Sequence, residues 1–195
     1  MIRIVLLGED AAHEDFLRAL LERLQTQIGV HLDIKLRSSF RGGSRVFREL
    51  DTYMRELEKG MQARPDLLVV AVDANCKGLQ NRRQEVLEHI PSDFRDFTVL
   101  AIPDPHIERW MLLDSSAFKR VFGKGCAVPD KKCERDRYKK MLRDEIRAAG
   151  YNPIMGGMEW ADDLLKEMDF SIIHDKSLKT FLDEMEKHLR SRAAH

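Results

Sequence analysis

The chain predicts an α/β fold: a four-stranded, mainly parallel sheet with helices on both faces, followed by a helical C-terminal part. Three observations carry this expectation. Leu67-Leu68-Val69-Val70-Ala71-Val72 is an unbroken apolar run, short and rich in β-branched residues, as in strands buried on both faces. Ile2-Arg3-Ile4-Val5-Leu6-Leu7 and Phe97-Thr98-Val99-Leu100-Ala101-Ile102 have a similar form. Segments of helical period separate these runs, and such alternation implies parallel pairing with right-handed crossovers.

In chain order, the first strand delivers Gly8-Glu9-Asp10 to its carboxyl end. From Ala12 to Ile28, Phe16, Leu17, Leu20, Leu21, Leu24 and Ile28 recur at helical spacing, and Gly29 is suited to end the helix. Leu32, Ile34 and Leu36 alternate with charged residues, the pattern of a half-covered or edge strand. Ser38 to Gly43 reads as a polar loop. Ser44 can cap a helix to about Met61, with Phe47, Leu50, Met54 and Leu57 inward, and Pro65 precedes the buried strand at Leu67. A helix from Leu79 to Ile90 then leads past Pro91 to the fourth strand. Beyond Pro103, helices are expected over 106–113, 117–122, 130–149, 159–168 and 178–190, with Ser171-Ile172-Ile173 a weak strand candidate. The α/β core would span 1–115, and 116–195 would be a helical extension packed on it.

With 195 residues, 43% of them hydrophobic, the chain suffices for one substantial core. Net charge is zero, so a polyanionic partner must be judged from where the charge lies. The three cysteines, Cys76, Cys126 and Cys133, are odd in number and lack C-x-x-C spacing. They read as free thiols in a reducing compartment. The first strand begins at Ile2, and no apolar run approaches the roughly 20 residues that span a bilayer. A cytoplasmic protein without membrane association is the expectation.

The chemistry concentrates at strand ends, where open α/β sheets bind ligands. Asp73 and Asn75 close the third strand, and Glu9 closes the first. Asp104-Pro105-His106-Ile107-Glu108-Arg109-Trp110 follows the fourth, with Asp104 placed to cap a helix that Pro105 opens. Glu108 lies four residues after Asp104, on about the same side of that helix. If these ends converge, Glu9, Asp73, Asn75, Asp104 and Glu108 crowd one edge. Like charges raise each other's pKa, and a divalent cation removes that cost. Oxygen ligands suit Mg²⁺ or Mn²⁺, which would polarise a phosphodiester and activate water.

The glycine and glutamate after the first strand, the Asp-x-Asp-like step Asp73-x-Asn75, and the segment Ile102-Pro103 to Glu108-x-Trp110 resemble the TOPRIM domain. They resemble in particular the small TOPRIM-like proteins related to OLD-family nucleases, many linked to bacterial defence against phage. The resemblance covers roughly 1–115. It implies a metal-dependent nuclease in which Glu9 is general base or ligand, Asp73 and Glu108 are catalytic acids and ligands, Asn75 takes the second aspartate position, and Asp104 supports. Asp10 stands where a second glycine is often found, and Asn75 replaces a charge with a neutral oxygen. The second departure motivates an alternative: a catalytically inactive regulatory or toxin-like subunit. OLD-type domains come with an ATPase, and this chain has no G-x-x-x-x-G-K-[ST], so an ATPase partner would be a separate chain. An oligomer is compatible with the sequence.

Structural readings stand beside each of these. Glu9 and Asp10 can cap the first helix, Asp73 can close a turn, Glu108 can be a solvated helix residue, and Trp110 can be core. His106 can be a proton carrier or a surface residue. Lys77, Arg82 and Arg83 follow the Asp73 turn and can meet phosphate or line a solvated face; Arg37, Arg41 and Arg45 are open to the same two readings. Between Ala117 and Arg147, eleven lysines and arginines face five acids, a local surplus of six positive charges. Lys131, Lys132, Arg135 and Lys139 within it are candidate DNA or RNA backbone contacts. A nucleotide-binding doubly wound protein is a further alternative, disfavoured because the first strand lacks G-x-G-x-x-G.

Overall fold

The computed structural model describes residues 1–37 and 45–193. The loop expected over Ser38–Gly43, the Ser44 cap and Arg41 lie outside the described residues. The elements are β1 (Ile2–Gly8), α1 (Ala11–Ile28), β2 (Leu32–Leu36), α2 (Arg45–Glu58), β3 (Leu67–Ala71), α3 (Leu79–Glu88), α4 (Ser92–Arg95), β4 (Thr98–Ala101), α5 (Ile107–Met111), α6 (Ser115–Phe122), α7 (Arg137–Ala148), α8 (Ala161–Glu167) and α9 (Lys176–Ala193), with 3₁₀ turns at Asn75–Lys77 and Met158–Trp160.

The four strands pair in the order β2-β1-β3-β4, every pair parallel. The expected α/β architecture is therefore the observed one. Chain direction across the sheet reverses between β1 and β3, so their carboxyl ends form the topological switch point where such sheets open a crevice. Leu6 pairs with Val69 and Gly8 with Ala71, which brings Glu9 and Asp73 out at this crevice.

Alternation along the strands feeds two apolar layers. Ile4, Leu6, Leu67, Val69 and Val99 pack beneath α1 and the C-terminal helices, with Trp110, Phe118 and Phe181 in the same cluster. Leu7, Leu68, Val70 and Leu100 pack against α2 and α3 through Val46, Leu50, Met54 and Val86. The face carrying the C-terminal helices holds the larger cluster, and one apolar core thus joins residues from both parts of the chain. Gly8 ends β1 where α1 turns back onto it: a Cβ there would lie 2.9 Å from Glu14 Cγ. Only glycine lets Glu9 and the first turn of α1 approach the sheet so closely.

Several expectations are corrected. Ser171-Ile172-Ile173 is a turn, because the Asp169 carboxylate accepts both the N–H and the hydroxyl of Ser171 and closes the chain on itself. The helix expected from Asp130 begins only at Arg137. The Tyr138 hydroxyl donates to the carbonyls of Asp130 and Lys132 and accepts the Lys132 N–H, holding the preceding residues in an irregular strap. The helix expected to open at Pro105 starts at Ile107, with His106 in the cap position. Asp104–Pro105 is a cis peptide.

The cysteines are also corrected. Cys76 and Cys133 form a disulfide across 57 residues, with Cα atoms 5.3 Å apart. Sequence spacing carries no trace of this pairing, because tertiary packing alone lays the strap before α7 against the loop after β3. Cys126 is free and buried, and burial pushes its thiol up to about 12. Among the described residues, no helix is long and apolar enough to cross a membrane.

Candidate metal and acid–base site

Asp73 leaves β3 at the switch point and its carboxylate is held from three sides. Oδ1 accepts the backbone N–H of Ile107 at 2.9 Å and lies 3.0 Å from His13 Nε2; Oδ2 lies 3.0 Å from His106 Nδ1. The Ile107 bond satisfies a free donor in the first turn of α5, so β3 supplies the cap that the local sequence assigned to Asp104. Glu9 extends the β1–β3 ladder: its N–H donates to the Ala71 carbonyl at 2.9 Å, and its Oε2 accepts the Asp73 N–H at 3.0 Å.

His13 is the residue that sequence reasoning missed. It lies in the first turn of α1 and is only 1% exposed. Nδ1 is 2.8 Å from Asp10 Oδ1, while Nε2 reaches Asp73. Asp10 also accepts the His13 backbone N–H at 3.1 Å, so it caps α1 and orients the imidazole together. The signal available was Asp10-x-x-His13 in a first helical turn directly after a buried strand. Burial opposes a charge on His13, yet Asp73 and Asp10 outweigh it and hold the ring protonated well above the ordinary histidine range.

Electrostatics tie the remaining groups together. Burial opposes ionisation of Asp73 most strongly, but His13 and His106 overcome it and keep the carboxyl below its usual value. Glu9 is pushed up, chiefly by burial and further by Asp73. Glu108 is pushed up by burial and by Asp73, with the two histidines opposing. The bond to Asp73 raises His106. Glu9, Asp73 and Glu108 therefore do share one electrostatic environment, as the convergence of strand ends implies. A buried imidazolium supplies part of the neutralisation that carboxylates alone would demand of a metal.

Two expected members face elsewhere. Asp104 is 4% exposed, but its Oδ2 accepts the Leu79 N–H at 3.2 Å and pairs with Lys131, so it caps α3. Asn75 takes a left-handed backbone (φ 49°), which asparagine tolerates, and turns Nδ2 back to the Asp73 carbonyl. Its N–H donates to the Pro105 carbonyl at 2.9 Å and that of Ala74 to Pro103 at 2.8 Å, fixing the two strand-end loops side by side.

The donors nonetheless fit a metal. One ligand atom each from Glu9, His13 and Asp73 lie within 4.8 Å of one another. Asp73 keeps one lone-pair direction uncommitted on Oδ2, and Glu9 Oε1 has no hydrogen-bond partner among the described residues. The Asp10 to His13 Nδ1 contact is the outer-shell pattern that prepares Nε2 for a metal. A mixed nitrogen and oxygen set shifts the fit toward Mn²⁺ and away from Mg²⁺.

The candidate phosphate contacts are mostly engaged within the fold. Arg82 is 8% exposed and pairs with Glu85, as does Lys77; Arg83 pairs with Glu184. Arg37 is held by Glu49 and Glu56. Lys132 pairs with Asp130 and Arg135 with Asp136. Lys139 has no ion pair among the described residues and is exposed. The first turn of α7 nevertheless reaches the site: the Tyr138 and His106 ring centroids are 6.1 Å apart.

No protein-family model, curated protein or solved structure gives a significant match to the chain. What the fold and site define is an α/β protein with an imidazole–carboxylate cluster at its switch point.

Proposed function

We propose that this protein is a metal-dependent phosphodiesterase acting on DNA or RNA, with a TOPRIM-like arrangement of its α/β core. The observation carrying this reading is the convergence of Glu9, His13 and Asp73 within 4.8 Å at the switch point, beside Glu108 and His106. Glu9, His13 and Asp73 would hold the metal, preferentially Mn²⁺, and Asp10 would orient His13. When bound, the metal would polarise the phosphodiester and lower the pKa of a water nucleophile. His106, held through Nδ1 and without a printed-out rival for Nε2 among the described residues, would give a proton to the leaving oxygen. Glu108, pushed toward neutrality by burial, would accept the proton from water.

The surplus of six positive charges over 117–147, with α7 beginning beside His106, supports a polyanionic substrate. A place in a defence complex with a separate ATPase rests on the resemblance alone. The test is cleavage of plasmid DNA and single-stranded RNA in Mg²⁺ or Mn²⁺ by the wild type, Glu9→Ala, His13→Gln and Asp73→Ala. Cleavage by the wild type and loss in all three variants is expected. Activity absent from the wild type under every metal, or equal in the variants, sinks the reading and favours the inactive subunit.

A further inference from the structure

A cavity of about 790 Å³ opens on the far side of Asp104 from the Asp73 cluster, between the start of α3, the turn before α9 and the strap before α7. Lys77, Lys131, Lys176 and Arg109 line it, against two carboxylates, Asp104 and Asp175. Both carboxylates are consumed within the wall. Asp104 serves the Leu79 N–H and Lys131, and Asp175 serves Arg109, the Ser177 hydroxyl and the Leu178 N–H. The surplus of two positive charges thus has no internal counterpart. Lys176 has no ion pair among the described residues and is exposed.

The uncommitted charge is ammonium, since the Arg109 guanidinium is engaged by Asp175 and the Asp104 carbonyl. Point-charge ammonium groups suit a phosphate, which needs no planar fork. The first turns of α3 and α9 also begin on this wall, so their helix dipoles add to the same sign. The opposite wall is apolar: Leu79, Leu113 and Ile173, with Val128 and Ile172 at the mouth, each 55% exposed. A cationic wall facing an apolar one selects an anion with an apolar body, and the volume is that of a small-molecule site.

We propose that this cavity binds a phosphate monoester carried on a nucleoside, either a free nucleoside monophosphate or the 5′-phosphorylated end of a strand. Phosphate sits against Lys176 and Lys77, and the base lies between Val128 and Ile172. The site is independent of the metal cluster, so it stands or falls separately from the activity assigned to Asp73.

The experiment is calorimetric titration of the full chain in EDTA with AMP, GMP, CMP, UMP and inorganic phosphate, then with short oligonucleotides bearing 5′-phosphate or 5′-hydroxyl. The proteins are wild type, Lys176→Glu, Ile172→Asp and Asp73→Ala, each checked for native circular dichroism. At least one nucleotide or 5′-phosphorylated strand is expected to bind the wild type, about tenfold more weakly after either cavity substitution, and equally after Asp73→Ala. Preference for free nucleotide or for strand end identifies the source. Failure of every probe to bind, binding indifferent to both cavity substitutions, or inorganic phosphate binding as tightly as the nucleotides overturns the proposal.

Discussion

Asp73 and Asp104 close neighbouring parallel strands and are both largely buried, yet they do opposite work. Asp73 lies among two histidines and two acids whose charges it couples. Asp104 meets a helix N-terminus and one lysine, and it is satisfied by them. The difference teaches that a carboxylate at a strand end becomes reactive through unsatisfied neighbours. Burial alone makes it a cap.

The sharpest way to break this comparison is Asp73→Ala, which leaves the His13 cation buried without its main partner. Urea denaturation should show a loss of about 3–5 kcal/mol. The Mn²⁺-dependent rise in melting temperature expected of the wild type should vanish as well. Next in size is Cys76→Ser, which releases the strap carrying Lys131 from the Asp73 loop. Closing a loop of 57 residues predicts a loss of up to about 4 kcal/mol on the chain-entropy account, with less if the unfolded chain is compact. Denaturation with and without reductant measures it, and the reductant should have no effect on the variant.

Asp104→Ala should cost about 1–3 kcal/mol, the value of an orphaned N–H at Leu79, and leave the metal-linked shift in melting temperature intact. If that shift disappears instead, Asp104 belongs with Asp73. The smallest effect is in pH. His13 holds its proton above the ordinary histidine value of about 6.5. The folded chain therefore binds a proton that the unfolded chain releases, and this stabilisation is complete below about 6.5. It declines as pH rises through the folded value. Asp73 acts oppositely: its contribution is present above the usual aspartate range and is lost as pH falls through its lowered value. A stability profile from pH 5 to 9 should decline on the alkaline side, and His13→Gln should flatten that decline.

The strands were legible because burial on both faces demands unbroken apolar runs, and Leu67–Val72 satisfies that demand without any tertiary information. Their carboxyl ends followed, and with them the placement of Glu9, Asp73 and Glu108. His13 was hidden because its partners are 3 and 60 residues away, and one histidine in an amphipathic helix looks like any surface residue. The basic segment misled in the other direction. Counting charges cannot register that Arg82, Arg83 and Lys131 would find carboxylates on other elements.

By itself, then, the sequence determined the α/β class, the strands and the acids at their ends, since period and apolar burial are local properties of the chain. Only the tertiary structure decided which acids meet. It set His13 between Asp10 and Asp73, turned Asp104 toward Leu79, and joined Cys76 to Cys133. Electrostatic coupling and covalent pairing depend on distances of a few ångströms between segments far apart in the chain, and those distances exist only once the sheet has brought its strand ends together.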